Sequence, residues 1–331
     1  MAQGQLRDLD ALTPRTTIGA PDDAEPSSVL DFTLLGRSLQ VRIFGDCAAF
    51  DLQAALAPWE ARLGEVQEPL QLNLFVRGEE EAGPARLRVR NGRLTLRARG
   101  ARGVALARRR MASCEVSVPY VASLDRLRCE IIEPLILFLV TRDGRTPFHA
   151  AAISDGDGLA VLLVGPSGAG KSSLALAAHE AGWTVLSEDT AYIQIDPSLR
   201  VWGWPGPVHL LPGNKAARGH PLRLRNGRLK HAVPLAQSSE PPRSFEQAVV
   251  CILERGTDVG LTRLTSTEAK NLMPQTEAGF RLLDADIQVA MDRLVKVGAL
   301  KLTLSADPAE AIALLDANLG EIRKIFGGAP A

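Results

Sequence analysis

The chain has 331 residues, of which 46% are hydrophobic and 23% are charged, which is enough apolar sequence to build two ordinary cores. Its 38 Lys and Arg residues balance its 38 Asp and Glu residues, which excludes a chain-wide field that would hold the protein on nucleic acid or on an anionic membrane. We therefore expect two domains, and neither nucleic acid nor a membrane among the partners.

Cysteine usage and the apolar runs predict a cytoplasmic protein. The first 28 residues contain no apolar segment of the kind that a secretory signal requires, and the longest apolar run, LILFLV at 135–140, is too short to span a bilayer. No C-x-x-C pair occurs, so we expect neither a zinc site nor a disulfide framework, and we expect the cysteines to be buried in a reducing compartment. They are Cys47, Cys114, Cys129 and Cys251.

The first part of the chain predicts a flexible extension over 1–28 and a β-rich domain over 29–144. The extension is rich in Pro, Gly, Ser, Thr and Asp and lacks apolar periodicity. Beyond it, LQVRIF, LQLNLFV and ARLRVRNGRLTLRARG alternate apolar with polar residues, as strands of an antiparallel sheet with one solvated face do. Asn91-Gly92 predicts a two-residue hairpin turn.

Ten arginines fall between Arg86 and Arg110, and three glutamates at 79–81 precede them. One interpretation is a docking surface for an acidic partner, and the other is a solvated sheet face. The alternation of these arginines with Leu and Val favours the solvated face. The docking surface is the alternative that stays open.

A helix over 123–140 connects the two domains. Ser123 or Asp125 can cap its start, and Pro134 is expected to kink it or to begin a new helix. The second domain, 145–331, then shows the order of a βαβ unit, with the strand LAVLLVG, the helix KSSLALAAHEAG and the strand WTVLSED. A hairpin at Asn226-Gly227, a strand AVVCILERG and two helices near 284–298 and 308–325 complete it.

The segment GPSGAGKS at 165–172 fits the phosphate-binding pattern G-x-x-x-x-G-K-[ST] in full, and it joins an apolar strand to a helix. In such a loop, backbone N–H groups and the helix N-terminus surround the phosphates, the lysine supplies charge, and the next hydroxyl binds Mg²⁺. We expect ATP and Mg²⁺ to bind here, with GTP in place of ATP left open. The binding residues are Gly165, Ser167, Gly168, Ala169, Gly170, Lys171, Ser172 and Ser173.

Glu188 and Asp189 end the strand that follows the helix of this loop. Because the strand ends of an open parallel sheet face one crevice, we expect this acid pair near the γ-phosphate. Adjacent strand residues point to opposite faces, so one acid is expected to hold metal and the other to reach the acceptor. His149 precedes the loop by a short strand-turn-strand interval, and it is either within reach of the crevice or a structural histidine.

Basic residues between 215 and 231 either close over the nucleotide or form an exposed hairpin. Of these residues, we assign Lys230 to the nucleotide. The full set is Lys215, Arg218, Arg228, Lys230 and His231.

These residues, in this order and spacing, resemble the catalytic domain of the HPr kinase/phosphorylase family over about 145–260. The shared pattern is a His before the loop, the loop itself, a helix that ends in Gly, and a strand that closes on two adjacent acids. Glu254, after a later apolar strand, resembles a further acid of the family. The matching residues are His149, GPSGAGKS, Gly182 and Glu188-Asp189. The resemblance implies an α/β P-loop kinase domain of the phosphoenolpyruvate-carboxykinase-like type, preceded here by a β-rich (α+β) N-terminal domain.

The resemblance also implies ATP-dependent phosphorylation of a serine hydroxyl on a peptide or small protein. It places Glu188 at the family's catalytic base, where Asp is usual, and Asp189 at its metal-binding neighbour together with Ser172. Lys171 would lie at the phosphates, and His149 would assist the transferred phosphate or the acid. Because Glu is longer than Asp by one methylene, the division of roles between the two acids stays open.

Two departures from the family pattern bear on the expected reaction and the expected substrate. A stretch resembling L-E-[IV]-R-G-L-G, which accompanies the reverse reaction, is missing from 203–235, so we expect a kinase without efficient phosphorylase activity. The N-terminal domain resembles that of stand-alone HPr-kinase-like proteins from ribosomal-peptide modification systems of the lasso-peptide type, which implies a peptide substrate with a terminal acceptor Ser. Relatives form oligomers, so a homo-oligomer is also expected.

Two other functions fit the same loop. In an ATPase or switch the same residues would orient water, although no distant apolar strand ends in a single Asp and no arginine finger stands out. In a nucleotide-binding scaffold the loop would only bind, although intact Lys171, Ser172 and both acids favour catalysis.

Overall fold

A computed structural model describes residues 18, 24–45, 52, 56, 60–61, 68–77, 86–118, 124–204, 206–225, 228–235, 244–273 and 283–327. The chain divides into two compact units, Met1–Leu139 and Val140–Ala331. The division falls within a helix, a few residues before the expected boundary at 144/145.

Within the described residues, the amino-terminal unit forms an eight-stranded sheet in the order β3-β1-β2-β4-β8-β7-β6-β5. Its pairs are antiparallel except for β2 with β4 and β4 with β8, which are parallel. The sequence predicted an antiparallel sheet throughout, and this is wrong at β4, because parallel neighbours need the long connections that precede and follow β4. The strands are β1 Ser28–Leu34, β2 Arg37–Phe44, β3 Glu60–Ala61, β4 Leu70–Arg77, β5 Arg86–Arg90, β6 Arg93–Ala98, β7 Ala101–Leu106 and β8 Met111–Ser117.

A helical segment covers one face of this sheet. It consists of α1 Leu124–Leu127, a π-helical stretch Arg128–Ile132 and α2 Glu133–Arg142. Pro134 lies in the first turn of α2, but the backbone stays helical at Leu127 and Glu133, so the segment continues as one helix and Pro134 does not begin a new one. The sheet has a glycine under this segment: a Cβ on Gly103 would lie 2.9 Å from Leu135 Cδ1. Of the described residues in the predicted flexible extension, 18 and 24–28, Ile18 is buried and packs against Phe75 and Val104.

The carboxyl-terminal unit is built on a six-stranded sheet in the order β12-β10-β11-β19-β21-β20. Strands β11, β19 and β21 are parallel, while β10 and β20 run antiparallel to their neighbours. The strands are β10 Ala151–Ser154, β11 Leu159–Val164, β12 Thr184–Ser187, β19 Gln247–Arg255, β20 Gly260–Leu264 and β21 Ala299–Leu304.

Both faces of this six-stranded sheet are covered. Helices α3 Lys171–Glu180 and α6 Pro308–Phe326 pack on one face, and α4 Ser266–Leu272, α5 Asp284–Leu294 and a four-stranded sheet cover the other. The four-stranded sheet has the order β18-β14-β13-β9, and a three-stranded sheet has the order β15-β17-β16. Their strands are β9 Thr146–Phe148, β13 Ala191–Gln194, β14 Arg200–Trp202, β15 Val208–Leu210, β16 Leu222–Arg225, β17 Arg228–Val233 and β18 Ser244–Phe245. No helix in the described part of the chain is long and apolar enough to cross a bilayer.

The expected βαβ unit forms with one difference. Strand β11, helix α3 and strand β12 follow one another as predicted, but β10 lies between the two strands and runs antiparallel to both. Since β10 opposes each of them, β11 and β12 still run in the same direction. Their carboxyl ends therefore meet at the same edge of the sheet.

Of the three described cysteines, one contradicts the expectation of burial. Cys114 and Cys251 are buried, whereas Cys129 is exposed because its helical stretch turns Ile131 and Ile132 inward instead. Burial raises the pKa of the Cys251 thiol to about 12 and also raises that of Cys114.

Because a raised pKa keeps a thiol protonated, we expect iodoacetamide at about pH 8 to alkylate Cys129 and to spare Cys114 and Cys251. Peptide mass mapping measures this, and the same reaction in denaturant, where every thiol should react, is the control. Rapid alkylation of Cys251 in the folded protein would contradict its position between β11 and β21.

Gly203 is predicted to be required for the strand end that carries the acid pair. A Cβ on Gly203 would overlap the carbonyl oxygen of Leu186 and would lie 2.6 Å from its Cβ. We expect Gly203→Ala to lower the free energy of unfolding by about 1–3 kcal/mol, as measured by urea denaturation. Gly206→Ala is the matched control, since a Cβ there meets nothing within 4 Å. Equal stability of the two variants would contradict this packing.

Candidate active site

The candidate site lies where two chain segments leave one sheet and enter another. At His149 and Ala150 the chain passes from β9 of the four-stranded sheet to β10 of the six-stranded sheet. At residues 188–190 it passes back, from β12 to β13. The pairing of Ala191 with Phe148 aligns the two crossings. His149 and the acid pair are therefore neighbours because of sheet register.

The phosphate loop has the predicted context. It follows β11 and leads into α3, with Gly168 at φ 88° and Gly170 at φ 114°, a backbone conformation that favours glycine. Gly170 also precedes the first turn of α3, where no side chain caps the backbone N–H groups. Uncapped N–H groups at a helix start are the donors that bind phosphate.

Lys171 is buried in this loop. Its Nζ donates to the carbonyl oxygen of Gly165 at 2.6 Å and to that of Pro166 at 3.3 Å. The loop is tight, because a Cβ on Gly165 would lie 2.9 Å from that of Ala169. The loop carbonyls thus hold a positive charge beside the start of α3.

Glu188 is joined to the loop. The hydroxyl of Ser172 donates to Glu188 Oε2 at 2.9 Å, while the neighbouring hydroxyl of Ser173 accepts from Asn214 at 3.4 Å. The side chain of Glu188 is only 7% exposed. A carboxylate at this depth requires hydrogen-bond donors, and Ser172 is one of them.

His209 is the second partner of Glu188, and the sequence did not identify it. Its Nδ1 lies 2.8 Å from Glu188 Oε1, and its side chain is 8% exposed. His209 lies on β15 between the buried Val208 and Leu210. A single polar residue within an apolar strand was the only signal, and nothing in its spacing pointed to Glu188.

Asp189 has different surroundings. Its Oδ1 lies 3.6 Å from Nδ1 of His149, and its side chain is 22% exposed. Ser187 donates to the carbonyl oxygen of Thr190 at 2.6 Å, which closes the turn that carries both acids. The structure therefore brings His149, Asp189 and Glu188 together and separates the environments of the two acids.

The acid near the carboxyl end of strand β19 does not face the loop. Glu254 is exposed and pairs with Lys301 at 3.2 Å. The next residue, Arg255, turns toward the loop instead, and its Nη2 lies 3.1 Å from the position of a Cβ on Gly170. Arg255 is thus a second positive charge at the loop that the sequence did not identify.

Lys230 lies on β17, one residue before the segment 231–233 that pairs with β15. Because His209 pairs with Ala232, and residues two apart in a strand share a face, Lys230 and His209 lie on the same face of the three-stranded sheet. Lys230 pairs with Arg223, and within the described residues it forms no hydrogen bond with the loop. His231 lies on the other face, with Nδ1 2.7 Å from the carbonyl oxygen of His220.

The donor set suits Mg²⁺. Ser172 and Glu188 offer oxygen ligands beside the loop, and Mg²⁺ is usually held by one or two carboxylates together with substrate phosphates. Within the described ranges, no group of three or more His, Cys, Asp or Glu residues could hold a metal alone. The residues present therefore fit a metal that arrives with a nucleotide.

Comparison with known proteins gives remote similarity to solved structures alone. No family model matches the chain, and a search of curated proteins found no relative. Among solved structures, the chain is similar to the HPr(Ser) kinase/phosphatase from Coxiella burnetii, with 14% identity and a TM-score of 0.27. The match covers 54% of this chain and 98% of that one. The chemistry of the site has to be inferred from its own side chains.

We predict that His209 stabilises the folded site through Glu188. Removing one partner of a buried hydrogen bond leaves the other unsatisfied, so His209→Ala should lower the free energy of unfolding by about 1–3 kcal/mol. Urea denaturation measures this, and a double-mutant cycle with Glu188→Ala should return a coupling energy of similar size. His179→Ala, in the last turn of α3, is the control and should cost less. A coupling energy near zero would contradict the contact.

Proposed function

We propose that the protein is an ATP- and Mg²⁺-dependent kinase that phosphorylates a serine hydroxyl on a peptide or small protein. The observation that carries this proposal is the pair of acids beside the phosphate loop, of which one is tied to the loop and the other is more exposed. A kinase needs both a charge beside the metal and a group that orients and deprotonates the acceptor. Glu188 and Asp189 are two carboxylates in different surroundings, so each can take one of these two roles.

We assign Glu188 to the metal side. Both of its carboxylate oxygens have partners, Ser172 on Oε2 and His209 on Oε1, so it is poorly placed to take a proton from an acceptor. Ser172 is also the loop hydroxyl that binds Mg²⁺ in this motif. This assignment reverses the roles that the family resemblance implied for the two acids.

We assign Asp189 to the acceptor side. Its greater exposure gives a substrate hydroxyl access, and His149 lies beside it to orient the carboxylate. The serine hydroxyl gives its proton to Asp189, and its oxygen forms a bond to the γ-phosphorus. The bond from the γ-phosphorus to the bridging oxygen breaks at the same time, so ADP leaves.

The remaining charges act on the phosphates. Lys171 and the uncapped N–H groups of α3 would bind the β- and γ-phosphates, and Arg255 would add charge from the end of β19. Mg²⁺, when bound with the nucleotide, would neutralise charge on the phosphate oxygens. Lys230 lies within the β16–β17 hairpin, where it pairs with Arg223, so we give it an accessory role at the nucleotide.

The finer parts of the proposal follow the family resemblance. We propose the phosphoenolpyruvate-carboxykinase-like arrangement for the carboxyl-terminal unit, a cytoplasmic location, a homo-oligomer, and a ribosomally made peptide as the substrate. We also propose that phosphorylase activity is absent, since residues 203–235 lack the stretch that accompanies it.

The two acids should respond differently to mutation. We expect Asp189→Asn to lower the rate of phosphate transfer by about 10²–10⁴-fold and to leave nucleotide affinity nearly unchanged, as loss of a general base does. Glu188→Gln should instead raise the Mg²⁺ concentration needed for nucleotide binding, and Lys171→Ala should abolish transfer. Fluorescent-nucleotide titrations over a range of Mg²⁺ concentrations give the binding half of this test without a substrate.

The transfer half uses ATP, Mg²⁺ and the peptides encoded by neighbouring genes, with products measured by intact mass. Asp157→Asn is the control, because it removes a carboxylate that is 79% exposed on a turn between β10 and β11. Steady release of free phosphate with no labelled peptide would favour the ATPase function. Full transfer by both acid variants would contradict the kinase assignment.

A further inference from the structure

The outer face of the hairpin β5–β6 carries a cluster of arginines. Residues directly opposite in an antiparallel pair share a face, and Arg86 pairs with Arg97, Arg88 with Thr95, and Arg90 with Arg93. Five arginines therefore lie on one face of two strands. Four of them are exposed and Arg93 is half-buried. We call this set, Arg86, Arg88, Arg90, Arg93 and Arg97, the arginine face.

The carboxylate nearest along this face is already engaged. Glu115, on β8, forms ion pairs with Arg102 on β7 and with Arg77 on β4. Among the described residues, no carboxylate forms an ion pair with a member of the arginine face. Arg93 Nε is moreover buried with no hydrogen-bond partner in the described part of the chain. Like charges and an unsatisfied buried donor both favour an external anion.

Among the described strands, β5 is also the edge of its sheet. In a two-residue hairpin the residue pair next to the turn, here Arg90 with Arg93, is hydrogen-bonded, and hydrogen-bonded and non-hydrogen-bonded pairs then alternate along the strands. The pair of Leu87 with Leu96 is therefore a non-hydrogen-bonded one, and the backbone N–H and C=O of Leu87 point away from β6. The Leu87 side chain, on the face opposite the arginines, is 59% exposed. The edge thus offers backbone hydrogen bonds, a basic row and an apolar row.

Charged residues on an edge strand can simply prevent aggregation. Such protection requires charge only on the edge itself. Arg93 and Arg97 lie on β6, one strand inside the edge, where they would not meet an incoming strand edge-on. They extend the basic surface from the edge strand β5 onto the neighbouring strand β6.

We propose that this edge binds an extended acidic segment of a partner polypeptide, which adds to β5 as a further strand. Alternate residues of a strand are about 6.8 Å apart, so acids at every second position of the partner match the arginine row. The apolar residues between them would lie against Leu87. The proposal does not depend on the kinase chemistry, because the face belongs to the amino-terminal unit.

A polypeptide fits these features better than nucleic acid does. A strand partner uses the outward N–H and C=O groups of β5, whereas a nucleic acid cannot continue a backbone ladder. Single-stranded nucleic acid is usually held by aromatic side chains on which bases stack. Strands β5 and β6 contain no aromatic residue.

The test uses the full chain and a short fluorescein-labelled peptide that alternates Glu with Val. We expect saturable binding, measured by fluorescence anisotropy, that weakens as salt is raised. Arg86→Glu/Arg88→Glu should weaken it by at least about tenfold, since two charge-assisted contacts become repulsive. The control is Arg108→Glu/Arg109→Glu, which makes the same charge change at two exposed arginines of the turn before β8 and should weaken binding far less.

Leu87→Pro separates strand addition from charge alone. Proline removes one outward N–H and keeps every arginine, and it is tolerated on edge strands. We expect weaker peptide binding with an unchanged thermal melting profile. A scrambled peptide with its Glu residues in one block should bind more weakly than the alternating one.

Four results would overturn the proposal. These are equal loss in both arginine double variants, unchanged binding by Leu87→Pro, and tighter binding of a single-stranded oligonucleotide of the same charge. The fourth is peptide binding that occurs only after Glu79, Glu80 and Glu81 are changed to Gln. That result would assign the arginine face to the chain's own acids.

Discussion

A carboxylate that is removed from water must be hydrogen-bonded, and the way in which Glu188 satisfies this requirement organises the candidate site. One of its oxygens accepts from Ser172 in the first turn of α3, and the other meets His209 on the three-stranded sheet. The contact therefore adds a polar tie between the phosphate loop and the three-stranded sheet, which also packs on α3 through Leu176. The adjacent residue, Asp189, lies in the turn that the hydrogen bond from Ser187 to the Thr190 carbonyl oxygen closes. With Glu188 anchored and this turn closed, the position of Asp189 is fixed as well. A single buried charge thus determines where a second, more exposed one lies.

The position of this charge follows from topology. Strand β10 separates β11 from β12, yet it opposes both, so the loop and the acid pair still lie at one edge of the sheet. His149 reaches them through register, since β9 pairs with β13 immediately beyond the acids. Three chain segments that are distant in sequence therefore meet because each changes sheet, or ends a strand, at this edge. Strand-end sites of this kind are common in open α/β sheets.

Sequence patterns predicted the parts of the structure that local physics determines. The loop with its flanking strand and helix, and the hairpin at Asn91-Gly92 with both residues at positive φ, depend on neighbouring residues alone. The insertion of β10, the contact of His209 with Glu188 and the approach of Arg255 to Gly170 depend on pairings between distant segments. No spacing rule encodes such pairings. The resemblance to a family likewise suggested which residues matter, but the division of roles between the acids required their surroundings.

The arginine face is a region of high positive charge in a chain whose net charge is zero. The chain as a whole is neutral, but residues 86–110 contain ten arginines and no acid, so the remainder carries ten more acidic than basic residues. Segregation of this kind has a direct consequence at an exposed strand edge. Two copies of β5 placed side by side would oppose arginine to arginine, which destabilises a strand pair. An acidic strand would meet the same residues with opposite charge. The charges that prevent β5 from pairing with itself would therefore select the partner that can pair with it.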